Sequence, residues 1–155
     1  TIAVPGIDNV LLKLIHIYIY VCMYVYKMLK TYLFKNYLVI SLLFVIVDSI
    51  YLSLVSGYFN NQIMLIQGSK LVLKPFSTFL CYIFLTFGIS YFILLLKFTP
   101  LQSFWLGLYV YGVYETTNHA IFRNWKWSTV VMDTLWGGVL FSLVTYLYSK
   151  TKKLI

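Results

Sequence analysis

Three of the four acidic residues in this chain lie inside long apolar runs, where a carboxylate is costly to bury. They are Asp48, Glu115 and Asp133, in a sequence of 155 residues of which 61% are hydrophobic and 10% charged. On membrane-insertion scales each such acid costs roughly 2.5 to 3.5 kcal/mol, so the sequence must provide partners for them. Acids in this position either bind a proton, a cation or a polar solute, or hydrogen-bond neighbouring helices together.

The composition predicts the surroundings of these acids. A soluble domain has roughly 25% charged residues, so this chain cannot cover a surface that faces water. The sequence therefore predicts an all-α integral membrane protein whose first partner is the lipid bilayer. Its net charge of +8 does not indicate nucleic acid, because the cations stand at the ends of apolar runs, where they anchor helices. Cys22 and Cys81 lack CxxC spacing, so no disulfide framework or metal knuckle is predicted.

Four segments have the roughly 20 apolar residues that a membrane helix needs. They are residues 37–56, 76–96, 101–122 and 128–148. The second and third are joined by a short turn that ends in Pro100, so they must form an antiparallel hairpin. A longer polar loop, residues 57–75, joins the first two. The prediction is a membrane four-helix bundle over residues 31–155, preceded by an N-terminal extension over residues 1–30.

The extension contains a further apolar segment, residues 10–29, interrupted by Lys13, His16 and Lys27. Its uninterrupted part, residues 14–26, rises about 20 Å, which is short of a roughly 30 Å hydrocarbon core. We expect a helix lying in the membrane interface; a fifth span and a cleaved leader are the alternatives. Because Met28 precedes a full span, residues 1–27 are interpreted as an extension of the core.

The cations predict the orientation of the spans. Seven lie near the ends on one side, namely Lys27, Lys30, Lys35, Lys97, Lys150, Lys152 and Lys153, and four on the other, namely Lys70, Lys74, Arg123 and Lys126. This excess places both ends of the four-span core in the cytoplasm. Trp125 and Trp127, between the last two spans, are predicted to anchor that turn in the interface together with Arg123 and Lys126.

The three acids are predicted to share one depth. Counted from the span ends, they lie about 12, 12 and 9 Å from the membrane face that carries the 57–75 loop. The predicted polar cluster comprises Asp48, Glu115, Asn118, Asp133, Tyr51, Tyr111, Tyr114, Thr117 and Trp136. The glycines expected where helices approach closely are Gly107, Gly112, Gly137 and Gly138. The cluster joins spans one, three and four; span two carries no charge and is expected to face lipid or a partner subunit.

Three functions remain open for this cluster. The acids can hold the helices together in a structural component of a larger assembly, or they can line a pocket or a proton or cation pathway that opens toward the 57–75 loop. A homodimer is expected in the second case, because four helices enclose little volume. The third option, a metal or catalytic site with Glu115, His119, Asp48 and Asp133 as ligands, is disfavoured because the chain has only two histidines. No nucleophile elbow, phosphate loop or dinucleotide motif is present, so neither an enzyme nor a cofactor is predicted.

Three motifs carry a family resemblance. The stretches Val47 to Leu52, Tyr111 to Asn118 and Val131 to Gly137 resemble the small membrane proteins grouped as domain-of-unknown-function family 2177. The resemblance covers residues 28–148 and implies a four-helix membrane domain, without a reaction or a cofactor. Glu115 stands where the family is expected to have Asp, and Tyr51 where Trp is usual. The carboxyl group is kept, but the length of the side chain that carries it differs.

The abundance of Phe, Ile, Tyr, Asn and Lys indicates an AT-rich genome, so a viral or organellar membrane is a further expectation.

Overall fold

A computed structural model describes residues 7–151, and over these residues the chain is helical, with no strand. The four helices are α1 (Ile7–Gln67), α2 (Pro75–Leu94), α3 (Pro100–Ile121) and α4 (Trp127–Thr151). The predicted all-α fold is confirmed. Residues 1–6 and 152–155 lie outside the described part, and with them the start of the predicted extension and two cations of the charge count, Lys152 and Lys153.

Helix α1 is longer than predicted at both ends. It begins at Ile7 and continues past residue 56 to Gln67, and an interfacial position for its N-terminal segment stays a prediction. The predicted loop 57–75 is thereby reduced to residues 68–74. The polar residues near position 60 suggested a loop, but Gln62 is fully buried and its amide donates to the Asn124 carbonyl at 2.8 Å. Gly68, with φ of 71°, then supplies the left-handed residue that commonly ends a helix.

The chain divides into two compact units, residues 1–36 and 37–155. In the first, the described residues form the N-terminal part of α1, and most of their side chains are apolar and exposed. The second holds the remainder of α1 together with α2, α3 and α4. All three buried acids belong to the second unit.

Within the described residues, three helices are long and apolar enough to cross a membrane: α1 over Ile15–Gln67, α2 and α4. Helix α3 has 22 residues and a length of about 33 Å, which also suffices for a crossing. The hydropathy of α3 is lower than that of the other three helices because Glu115, Asn118 and His119 lie in its last two turns. The structure thus supports an integral membrane protein with apolar helices, and the crossing by α3 remains a prediction.

Helices α3 and α4 pack against each other through small residues. A Cβ atom on Gly107 would lie 2.1 Å from the Gly137 carbonyl oxygen, and one on Gly138 would lie 2.7 Å from the Phe104 ring. The backbones are therefore closer than any larger residue permits. Gly112 is less crowded, since its nearest neighbour would be the Thr134 methyl group at 3.4 Å. This contact fixes the position of Glu115 on α3 relative to Asp133 on α4.

Candidate functional site

The three acids lie in one buried layer of the second unit. Asp48 is 6% exposed, Glu115 1% and Asp133 8%. The Glu115 and Asp133 carboxyl groups lie within hydrogen-bonding reach of each other. Two bonds also cross between α1 and α4: the Tyr51 hydroxyl donates to Asp133 Oδ1 at 3.2 Å, and Trp136 Nε1 donates to Asp48 Oδ1 at 3.0 Å. We call Asp48, Glu115 and Asp133 the carboxylate layer.

Asp48 is held by donors from two other helices. In addition to the Trp136 indole of α4, the Tyr82 hydroxyl of α2 donates to Asp48 Oδ2 at 2.8 Å. Both carboxyl oxygens of Asp48 are thus occupied. Span two was expected to stay out of the polar cluster because it carries no charge. This expectation is wrong at Tyr82, because an uncharged tyrosine still has a hydroxyl donor. Other aromatic residues of α2, such as Phe76 and Phe84, are exposed, in keeping with a face toward lipid or a partner.

Glu115 is held by the turn that follows its own helix. Trp125 Nε1 donates to Glu115 Oε2 at 2.8 Å, and the Trp125 side chain is only 8% exposed. The backbone N–H of Trp125 donates to the Phe122 carbonyl, and this bond folds the short α3–α4 turn back over the end of α3. The prediction of Trp125 as an interfacial anchor is therefore corrected to a buried donor. Trp127, in contrast, is 62% exposed and suits the predicted anchoring position.

The remaining residues of the predicted cluster divide into two groups. Tyr51 stacks on Trp136 with ring centroids 4.0 Å apart, which orients both donors toward the layer. Tyr111 lies within electrostatic range of Asp48 and Asp133. Tyr114 and Thr117 do not join these residues, since both side chains are exposed. Tyr114 precedes Glu115 by one residue and Thr117 follows it by two, so on a helix both side chains point away from the Glu115 face. This could have been predicted from the sequence spacing alone.

Asn118 and His119 occupy different surroundings one turn beyond Glu115. The Asn118 amide lies beside the Glu115 carboxyl, and its buried Nδ2 has no well-aligned acceptor among the described residues. The His119 ring instead packs on Trp127, with centroids 4.1 Å apart. Within residues 7–151 no group of three or more His, Cys, Asp or Glu residues is placed to hold a metal ion. The ligand set that combined His119 with the three acids is therefore not assembled.

A second group of polar contacts lies next to the carboxylate layer, and it was not predicted from the sequence. The Tyr58 hydroxyl lies 2.8 Å from Ser128 Oγ and 2.9 Å from Thr129 Oγ1. Thr129 in turn donates to Gln62 Oε1 at 3.2 Å. We call Tyr58, Gln62, Ser128 and Thr129 the hydroxyl–amide network. The sequence predicts a loop at Tyr58 and Gln62, whereas both residues lie on α1. Their spacing of four residues is the spacing of one helical face.

The family model described as "Predicted membrane protein (DUF2177)" matches residues 33–149. The chain belongs to this family. The match confirms the resemblance carried by the three motifs, and it includes the whole carboxylate layer and the hydroxyl–amide network. No curated protein and no solved structure matches the chain. Membership in DUF2177 therefore supports a membrane protein and adds no reaction, ligand or partner.

The role of Trp125 gives a direct prediction for this DUF2177 protein. In a Trp125→Phe variant, Glu115 loses its indole donor while the aromatic bulk is largely kept. We expect the free energy of unfolding to fall by about 1 to 3 kcal/mol, the usual cost of leaving a buried polar group without its partner. Unfolding of the reconstituted protein by a denaturing detergent measures this change.

The matched control is Trp127→Phe, two residues away in the chain. Its side chain is exposed, so a change within about 0.5 kcal/mol is expected. Equal effects of the two substitutions would show that Trp125 contributes packing and not a hydrogen bond to Glu115.

Proposed function

We propose that this DUF2177 protein binds a proton at the Glu115–Asp133 carboxyl pair, as the binding step of a proton-linked membrane function. One observation carries the proposal: two buried carboxyl groups, contributed by α3 and α4, lie within hydrogen-bonding reach of each other. Two carboxylates at this separation repel in a medium of low dielectric constant, whereas one shared proton converts the repulsion into an O–H···O hydrogen bond.

The other contacts of the pair leave room for that proton. Trp125 occupies one oxygen of Glu115, and Tyr51 one oxygen of Asp133. The other groups that interact with the pair are Asn118, Asp48 and Tyr111, and none of these five is basic. A proton, and not a lysine or arginine side chain, is therefore the natural counter-charge.

Asp48 supports a second candidate function, that of a structural component in a membrane assembly. Both of its oxygens accept from side chains of other helices, which is the arrangement expected of an acid that ties helices together. The exposed aromatic face of α2, including Phe76, Phe79 and Phe84, offers such an assembly or a homodimer a contact surface. We assign the structural role to Asp48 and the proton to the pair.

The topology belongs to the same proposal. With α3 as a fourth span, both ends of the core lie on one side of the membrane, which the cation excess makes the cytoplasmic side. A viral or an organellar membrane remains the proposed location. The four-span core is proposed over residues 31–155, with residues 1–30 as its extension.

Infrared spectroscopy of the protein in liposomes tests the proton. We expect one protonated carboxyl group in the folded parent near neutral pH, and its band should be lost or shifted in Glu115→Gln and in Asp133→Asn. Asp48→Asn is the matched control, because it neutralises an acid of the same layer outside the pair and should leave the band. A folded parent without any protonated carboxyl group, or a band insensitive to both pair variants, would contradict the proposal. Proton flux into the same liposomes then separates transport from binding alone.

A further inference from the structure

The surroundings of the carboxyl pair differ between its two sides. We call the end of the second unit that carries residues 68–74 and 122–126 the loop end. The α3–α4 turn is attached there to the end of α1, because Asn124 Nδ2 donates to the Leu65 carbonyl at 3.0 Å and Gln62 donates to the Asn124 carbonyl. Toward the loop end the neighbours of the pair are polar; toward the opposite end the Tyr111 ring is followed by apolar side chains.

The polar side consists of the hydroxyl–amide network. Ser128 is exposed and lies at the start of α4, whereas Thr129 and Gln62 are fully buried. The hydrogen bonds of Tyr58 to both Ser128 and Thr129 therefore connect the protein surface with a buried hydroxyl group. The Thr129 hydroxyl donates to Gln62 Oε1, so it must rotate before it can donate toward Asp133. Each hydroxyl then accepts a proton on a lone pair and releases its own, and no member changes its net charge.

From Thr129 the pair is one helical turn away. Asp133 follows Thr129 by four residues on α4, a rise of about 6 Å, which one water molecule spans with two hydrogen bonds. The Asn118 amide, buried beside Glu115 on the loop-end side and without a well-aligned acceptor among the described residues, gives such a water a donor.

The opposite side of the layer is closed by apolar residues. Phe44 and Phe141 pack edge to face with centroids 5.5 Å apart, and the Tyr111 ring packs on Phe141. Five side chains form this block and are at most 2% exposed: Ile40, Phe44, Leu140, Phe141 and Val144. The Ser103–Thr145 and Tyr37–Thr86 hydrogen bonds lie beyond it. None of the five can accept or donate a proton.

We infer that the Glu115–Asp133 pair exchanges its proton with the loop end alone, through Tyr58 and Thr129. This inference rests on the proposed function. The proton comes from water at Ser128, passes the two hydroxyl groups and one water, and changes the charge of the pair from two negative charges to one. The titratable groups that face the pair are Asp48 and Tyr51 of α1 and Tyr111 of α3, with Tyr82 of α2 bonded to Asp48. The site is thus a one-sided proton-binding site and not a continuous channel.

Hydrogen–deuterium exchange of the protonated carboxyl band tests this route. In Thr129→Val and in Tyr58→Phe we expect exchange to slow about tenfold or more, which corresponds to about 1.4 kcal/mol on the barrier. Thr129→Ser, which restores the hydroxyl, should exchange like the parent.

Each variant has a matched control on the far side of the apolar block. Thr145→Val removes another buried hydroxyl from α4, and Tyr37→Phe removes another tyrosine hydroxyl that is bonded to a buried threonine. Both should leave the exchange rate unchanged. A band that is present but exchanges equally in the network variants and the controls would overturn the route and leave the proton-binding site intact. Absence of the band in the folded parent would instead refute the proposed function itself, so the two failures are distinguishable.

Discussion

Replacement of Gly107 by alanine is expected to push α3 away from α4 and to lower the free energy of unfolding by about 3 kcal/mol. The added methyl group would lie 2.1 Å from the Gly137 carbonyl oxygen, which is backbone and cannot rotate away. Because α3 and α4 carry the two acids of the pair, the same shift should also weaken the Glu115–Asp133 contact. Detergent-induced unfolding in mixed micelles measures the stability, and the carboxyl infrared band reports on the contact.

Gly88→Ala is the control for this prediction. Gly88 lies within α2, and a Cβ atom added there would meet no atom within 4 Å. Alanine is the better helix former, so this variant should be unchanged or more stable by about 0.5 to 1 kcal/mol. A Gly107→Ala protein as stable as Gly88→Ala would mean that α3 and α4 are not in backbone contact in the membrane.

The sequence was sufficient for those features that depend on one helix at a time. Apolar runs predicted α2, α3 and α4 to within a few residues, because about 20 apolar residues in succession have few alternatives to a helix. The acids were identified for the same reason: a carboxylate in such a run is costly unless it has partners. Family membership over residues 33–149 agrees with these predictions.

The sequence was insufficient where a residue depends on a partner from another element. The end of α1 was misplaced because the polarity of Gln62 suggests a loop, whereas the structure buries its amide against the Asn124 carbonyl. Tyr82 and Trp125 were misjudged because the same aromatic side chain can face lipid or donate to a buried acid. The depth of Asp48 was likewise counted from a helix end that lies at Gln67 and not at residue 56. The bonds of Tyr51 and Trp136 between α1 and α4 bring Asp48 and Asp133 together.

Asp48 provides the strongest test of the structural role assigned to it. In Asp48→Leu, the Tyr82 hydroxyl and the Trp136 indole both lose their acceptor in a low-dielectric layer. An unpartnered buried donor costs about 1 to 3 kcal/mol, so the free energy of unfolding should fall by about 2 to 5 kcal/mol. Asp48→Asn, which keeps one carbonyl oxygen as an acceptor, should lose less. The same detergent titration compares the two variants.

A double-mutant cycle separates the hydrogen bond from the change in volume. Tyr82→Phe removes one of the two donors, so combining it with Asp48→Leu should cost less than the sum of the two single losses, by about 1 to 2 kcal/mol. Strict additivity, or equal stability of the Leu and Asn variants, would show that Asp48 does not tie α2 to α1. If the coupling is found while the carboxyl infrared band persists in Asp48→Asn, the layer divides in two: one acid whose hydrogen bonds hold three helices together, and a pair free to gain and lose a proton without unfolding the bundle.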